Sequence, residues 1–257
     1  MSPALKALFF DQDGVIAETE RDGHRVAFNK AFSEFGLGFQ WNVQEYGNLL
    51  FIGGGKERLL HYLNVNHIGD ASRRRDLVET VHRRKTEIFI EIIENGELPP
   101  RPGVRRLMSE AKEMGLTIGI CTTSQERSAM AVRNTLLKDI PVDFILAGDV
   151  VTRKKPDPEI YRMALSKSGF QPRETLVVED SEIGVLAASK ARIPVIATVT
   201  DYTVNGDLSA AELVLSSLGD LQDPTRILST KHQNLPVTGE VRMTDLIRIM
   251  ERVGVDQ

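Results

Sequence analysis

The chain has 257 residues, a net charge of −4, 41% hydrophobic and 26% charged residues, a composition that fits an ordinary globular protein with room for one large domain or two unequal ones. That charge makes no basic field for nucleic acid, and no apolar run approaches the roughly 20 residues needed to cross a bilayer, so neither is expected as a partner. A single cysteine, Cys121, excludes an internal disulfide, and acidic residues at 11 and 13 come too early for a secretion signal, so a reducing cytoplasm is expected, or an organelle stroma if a transit peptide is removed.

Leu5 to Phe10 is an apolar run bounded by polar residues and reads as a buried parallel strand. Asp11-Gln12-Asp13-Gly14-Val15 follows at its carboxyl end, where open α/β sheets place their active sites. A spacing of two sends both carboxylates roughly the same way, although Asp at a strand exit is also ordinary turn chemistry.

Residues 18–97 then break the pattern. Ala27, Phe28, Ala31, Phe32 and Phe35 have helical spacing, as do Leu77, Val81, Ile88 and Ile92. No strand pattern is found there, so this stretch is expected to be an all-helical cap domain, with Gly14 to Thr19 as the outgoing hinge and Pro99, Pro100 and Pro102 marking the return. Within it, Gly53-Gly54-Gly55-Lys56 lacks the flanks of a nucleotide loop: Leu50 and Glu57 stand where Gly and Ser or Thr are required.

Beyond the return, strands at Thr117 to Cys121, Asp143 to Ala147, Thr175 to Val178 and Ile193 to Val199 alternate with helices. Those helices are Gln125 to Leu137, Pro158 to Ser168 with Ile160, Tyr161, Ala164 and Leu165 on one face, and a third marked by Ile183, Leu186, Ala187 and Ala191. Such alternation predicts an α/β fold, a doubly wound, Rossmann-like parallel sheet built from residues 1–17 and 98–225. Residues 226–257 are set apart as an extension, helical over 243–253, with Gly254 as its stop and either the core or another subunit as its docking surface.

Four segments fall at the carboxyl ends of predicted strands: Asp11 with Asp13, Thr122-Thr123-Ser124, Lys155-Pro156, and Glu179-Asp180-Ser181. A doubly wound sheet brings such ends to one crevice. The carboxylates crowded there would repel one another, and a hard cation with oxygen ligands, Mg²⁺ above others, relieves that repulsion.

In this order, the acidic pair, hydroxyl, lysine and acidic doublet resemble the motifs of the haloacid dehalogenase superfamily of phosphotransferases. DGVIAETE (13–20), HRVAFN (24–29), GGGKER (53–58), HRRKTE (82–87), CTTS (121–124), KKPDPEIY (154–161) and VVEDSEIG (177–184) narrow the resemblance to the CbbY-like sugar-phosphate phosphatases, relatives of β-phosphoglucomutase. The resemblance spans roughly residues 4–220, with Gln12 replacing a more usual apolar residue. It implies that Asp11 attacks phosphorus to form an aspartyl-phosphate and that Asp13 is the general acid and base. It implies Mg²⁺ on the Asp11 carboxylate, the Asp13 backbone carbonyl and Asp180, with Glu179 as ligand or close neighbour.

Thr122 and its neighbours Thr123 and Ser124 would bind phosphoryl oxygens and Lys155 neutralise their charge; Lys154 reads as a surface charge. In the cap, Glu18 is expected on sugar hydroxyls, Gly54, Gly55 and Arg58 on a phosphate or hydroxyl, and Lys85 on a distal phosphate. The expected partner is therefore a small phosphorylated sugar, such as the pentulose bisphosphate xylulose-1,5-bisphosphate, handled by a monomer or weak oligomer. A mutase of the β-phosphoglucomutase type is the alternative, mildly disfavoured by Glu126 where the mutase pattern prefers an amide. A dehalogenase has no call for the second acid at 13, and a non-catalytic binding protein would have no need of the full set.

Overall fold

An unbroken apolar run has to be covered on both faces, and Ala7, Leu8, Phe9 and Phe10 of the first strand, β1 (Ala7–Phe10), are all fully buried. The computed structural model describes residues 5–233, 235 and 237–253. The chain divides into two compact units, Met1–Glu18 with Pro99–Gln257 and Thr19–Leu98. These divisions lie one residue from the boundaries expected at 17/18 and 97/98.

Thr19–Leu98 opens with a π-helical turn (Thr19–His24) and continues through α1 (Arg25–Glu34), α2 (Val43–Leu49), α3 (Gly55–Val65) and α4 (Arg74–Glu94). It contains no strand among its described residues. α1 turns Ala27, Phe28, Ala31 and Phe32 inward against α4, which presents Val78, Val81, Ile88, Phe89 and Ile92. Phe35, expected on that face, is instead the C-cap of α1 and 38% exposed. Trp41 fills the gap, with its ring 5.0 Å from that of Phe28 and 4.8 Å from that of Phe32, both edge-on. α2 starts where Asn42 and Glu45 cap each other reciprocally, the Glu45 amide donating to Asn42 Oδ1 at 2.8 Å and the Asn42 amide to Glu45 Oε2 at 3.0 Å.

The other unit continues with α5 (Val104–Glu113), β2 (Thr117–Cys121), α6 (Glu126–Leu136), β3 (Phe144–Leu146) and α7 (Glu159–Ser168). β4 (Thr175–Glu179), α8 (Glu182–Lys190), β5 (Val195–Thr198), β6 (Leu213–Leu215), β7 (Ile227–Thr230) and α9 (Met243–Val253) complete it. The seven strands lie in the order β3-β2-β1-β4-β5-β6-β7, all parallel except β7. β1 lies between β2 and β4, at the point where the winding changes sides. Phe10 is level with Ile120 and Val178, so Asp11, just past β1, comes level with Cys121 and Glu179, the last residues of β2 and β4.

The segment set apart as an extension folds into this unit. β7 adds an antiparallel edge to β6, and α9 buries Met243, Leu246, Ile249 and Met250 while packing against α5. Glu110 of α5 fastens the join, accepting from the Met243 amide at 3.1 Å and from Arg242 Nη1 at 3.0 Å. Neither β6 nor β7 was expected: the first is three residues long, and the second is exposed along its whole length, so neither carries the periodicity of a half-buried strand. The expected stop at Gly254 lies outside the described residues.

Arg101, between the prolines of the returning segment, ties this unit together near β1. Its amide donates to Ile16 O at 2.8 Å. Its guanidinium donates to Gly14 O, to Thr198 O at 3.0 Å, to Val199 O at 2.6 Å and to Ser216 O at 2.9 Å. Replacing it strands carbonyls that water reaches poorly. Arg101→Met should therefore lower the unfolding free energy by at least about 2 kcal/mol in urea titrations; a loss below about 0.5 kcal/mol would show that these carbonyls find other donors.

Candidate active site

Asp11 follows β1 directly, its amide still donating to Val178 O of β4 at 2.9 Å, so the sheet itself orients the residue. The chain then turns sharply: Gly14 has φ +75°, and its amide donates to Ala17 O at 2.9 Å. A side chain at Gly14 would be strained and would also place its Cβ 2.1 Å from Asp180 Oδ2. Glycine here lets the loop after β1 close against the carboxylate after β4.

Three buried carboxylates, Asp11, Glu179 and Asp180, place oxygen atoms within 4.8 Å of one another. Lys155 lies against two of them, with Nζ 2.8 Å from Asp11 Oδ1 and 2.6 Å from Glu179 Oε1, and donates a third bond to Cys121 O at 3.0 Å. Its side chain is 5% exposed, so this is an ion cluster removed from water. Tyr161, a fully buried residue of α7, also donates its hydroxyl to Glu179 Oε1. The remaining oxygen, Glu179 Oε2, accepts from the Asp180 amide at 3.3 Å. Gly184 leaves room for that carboxylate, since a Cβ there would stand 1.9 Å from Glu179 Oε2.

Burial raises Asp11 to about 7, Lys155 opposing the rise and Glu179 and Asp13 adding to it. Burial likewise pushes Asp180 well above the usual carboxylate range, reinforced by Asp11 and Glu179. Lys155 is opposed by its own burial, yet the charges of Asp11 and Glu179 outweigh that and hold it above the ordinary lysine value. Burial raises Tyr161 and Cys121 as well, keeping the phenol and the thiol protonated. One ammonium thus faces three carboxylates whose charge is poorly compensated. An all-oxygen set with surplus negative charge suits a hard divalent cation, so the residues fit Mg²⁺.

Asp13 is half-buried, and its Oδ2 accepts from the hydroxyls of Ser124 and, at 3.3 Å, Thr122. The Ser124 amide in turn donates to Thr122 Oγ1 at 3.1 Å. These hydroxyls, expected on phosphoryl oxygens, thus lie on the second aspartate; Thr123 stands between them in the same loop, half-buried. Gln12, between the two aspartates, is fully buried, and its amide atoms find no partner among the described residues. Glu18 closes the first segment of this unit and is half-buried.

The other expected site residues belong to Thr19–Leu98. Gly54 has φ +94° and caps α3, while Gly55 opens the helix with His82 packed where a Cβ would lie, 2.9 Å from its Nε2. Arg58 is buried and spends its donors inside the unit, on Tyr46 Oη at 2.8 Å, Leu49 O at 3.2 Å and Ile52 O at 3.3 Å. A contact with substrate would compete with those bonds; the geometry makes Arg58 a brace for the chain leading into Gly53 and Gly54. Lys85 is buried too, with Nζ 3.0 Å from His24 Nδ1 and 4.8 Å from the centre of the Phe28 ring. Burial and the neighbouring Lys85 hold His24 well below the ordinary histidine value, leaving its ring neutral to accept from the ammonium. Sequence reasoning missed Tyr161, which periodicity placed in the core, and the role of Gly184. The signal for both was their place inside the segments KKPDPEIY and VVEDSEIG.

A sequence profile of the haloacid dehalogenase-like hydrolases matches residues 5–192. A CbbY-like protein of Arabidopsis thaliana is 42% identical over 223 residues, covering 83% of this chain and 69% of the relative. Protein CbbY of Cupriavidus necator is 38% identical over 225 residues, covering 86% and 88%. Among solved structures, a CbbY variant from Rhodobacter sphaeroides in complex with xylulose-1,5-bisphosphate superposes with a TM-score of 0.74 at 35% identity, covering 85% of this chain and 98% of that one. With its strand order, its acidic pair after β1 and its lysine among carboxylates, the chain belongs to the haloacid dehalogenase-like hydrolases, as a CbbY-like phosphatase acting on phosphoric monoesters.

Proposed function

We propose that this phosphatase is Mg²⁺-dependent and hydrolyses a phosphorylated sugar through an aspartyl-phosphate on Asp11. The observation that carries the reading is the meeting of Asp11, Lys155, Glu179 and Asp180 at the ends of β1 and β4, with Asp13 two residues further along. The Asp11 carboxylate attacks phosphorus, the bond between phosphorus and the sugar oxygen breaks, and Asp13 gives that oxygen its proton. Water then attacks the same phosphorus, Asp13 takes its proton, and the bond to Asp11 breaks to release phosphate. Lys155 holds positive charge beside the oxygens that gather negative charge in both steps. Mg²⁺ would be held by the carboxylates of Asp11 and Asp180 and the Asp13 carbonyl, with Glu179 beside them, and would supply Lewis-acid stabilisation of the phosphoryl oxygens.

For the substrate, the bisphosphate complex of the Rhodobacter sphaeroides protein supports a pentulose bisphosphate such as xylulose-1,5-bisphosphate. Glu18 then takes sugar hydroxyls, and Thr122, Thr123 and Ser124 face the first phosphate. Among the described residues no helix is long and apolar enough to cross a membrane.

Asp11→Asn should abolish phosphate release, by more than about 10³-fold, because an amide cannot form the intermediate. It should melt no lower than the parent, since it removes one of three mutually repelling buried carboxylates and leaves Lys155 paired with Glu179; turnover within tenfold of the parent would refute the mechanism. Chelation should stop turnover and added Mg²⁺ restore it. Mg²⁺ at about 100 times its Kd should stabilise the parent by roughly 2.7 kcal/mol, an effect that Asp180→Asn should largely remove. Across a panel of mono- and bisphosphates of pentuloses and hexoses, a bisphosphate should be hydrolysed with the highest kcat/KM. Conversion of a sugar phosphate to its isomer without net phosphate release would replace this reading with a mutase.

A further inference from the structure

Catalysis by Lys155 demands more than a charge. Its side chain has four rotatable bonds, and an ammonium displaced by about 1 Å from the transferring oxygens can cost on the order of a hundredfold in rate. Something has to hold the side chain still, and one of its two carboxylate partners, Asp11, is the group that reacts. The Cys121 carbonyl, 3.0 Å from Nζ, and Glu179 are the remaining anchors, and Glu179 is the one on a movable side chain. Both its oxygens are occupied by donors of this chain. Oε1 takes Lys155 Nζ at 2.6 Å and the Tyr161 hydroxyl, and Oε2 takes the Asp180 amide at 3.3 Å.

Tyr161 has a second contact with the same lysine. The ammonium lies 5.2 Å from the centre of its ring, at a cation–π distance, so the ring forms one wall of the slot the lysine occupies. It sits in the first turn of α7, four residues beyond the Lys155–Pro156–Asp157 stretch, so the helix that follows the lysine carries the group that returns to fix it. Nothing in core packing requires an oxygen here; a phenylalanine would fill the same volume beside Ile160 and Ala164, which share its cluster.

We infer that Tyr161 is a positioning residue for Lys155: its hydroxyl pins the Glu179 carboxylate, and the pinned carboxylate together with the Tyr161 ring fixes where the ammonium meets the phosphoryl group. This division of labour assigns Glu179 to the lysine and leaves Asp11 and Asp180 to the cation. It rests on the phosphatase reading above.

Tyr161→Phe removes one oxygen and keeps the ring. With the full-length protein and the sugar phosphate that the parent hydrolyses fastest, kcat should fall about tenfold, while KM and the Mg²⁺ concentration for half-maximal rate stay within twofold. In a Glu179→Gln background, itself slower, adding Tyr161→Phe should change kcat by less than twofold, because the hydroxyl acts only through Glu179. A tenfold loss repeated in that background, or a single variant within twofold of the parent, would overturn the inference. So would a melting temperature more than about 10 °C below the parent's, which would assign the hydroxyl to stability instead. A parent inactive on every phosphate tested would sink the phosphatase reading and this inference together; an active parent with an indifferent Tyr161→Phe sinks only the inference.

Discussion

Burying like charges is costly, and this protein buries three carboxylates at the carboxyl ends of the central strands β1 and β4, close enough for a single ion to touch all of them. Much of the surrounding structure follows from making that arrangement tolerable. Parallel pairing of β1 with β2 and β4 fixes Asp11, Cys121 and Glu179 at one level. The loop before α7 then delivers Lys155 to a point where two carboxylates and a carbonyl accept from it. Glycines stand where the carboxylates need space, Gly14 against Asp180 and Gly184 against Glu179. The charge that Lys155 leaves uncompensated suits the site to a hard divalent cation.

The same principle explains how the two aspartates of the opening motif come to differ. Asp11 is drawn into the ion cluster at those strand ends, where its burial and charged neighbours raise it to about 7. Asp13 stays half-buried, accepting from two hydroxyls. Two carboxylates two residues apart thus stand in different electrostatic surroundings.

In Thr19–Leu98 the polar groups are organised differently. Lys85 and Arg58 are both buried, one against a neutral histidine and an aromatic face, the other in a fork of backbone carbonyls and the Tyr46 hydroxyl. Tyr46 also donates to Glu20 Oε2 at 2.5 Å, so charge in this unit is held by aromatic and backbone partners inside an aromatic core.

Composition and periodicity were enough to predict the doubly wound sheet, and the family resemblance pointed to Asp11, Lys155, Glu179 and Asp180, which the fold brings together. Each of these signals is local: an apolar run that has to be buried, a helical repeat, or an acidic residue at a strand exit. Spacing could not reveal what depends on groups brought together from distant segments. A tyrosine on the apolar face of α7 looks like core until the fold carries Glu179 to its hydroxyl. An arginine among prolines looks like linker until four carbonyls from three segments converge on it. The short β6 and the exposed β7 become strands only because the rest of the sheet offers them an edge. The sequence by itself determined which chemical groups are present and on which kind of element. Which of them touch was decided by the tertiary structure, because strand order and register, not distance along the chain, set the separation between charges.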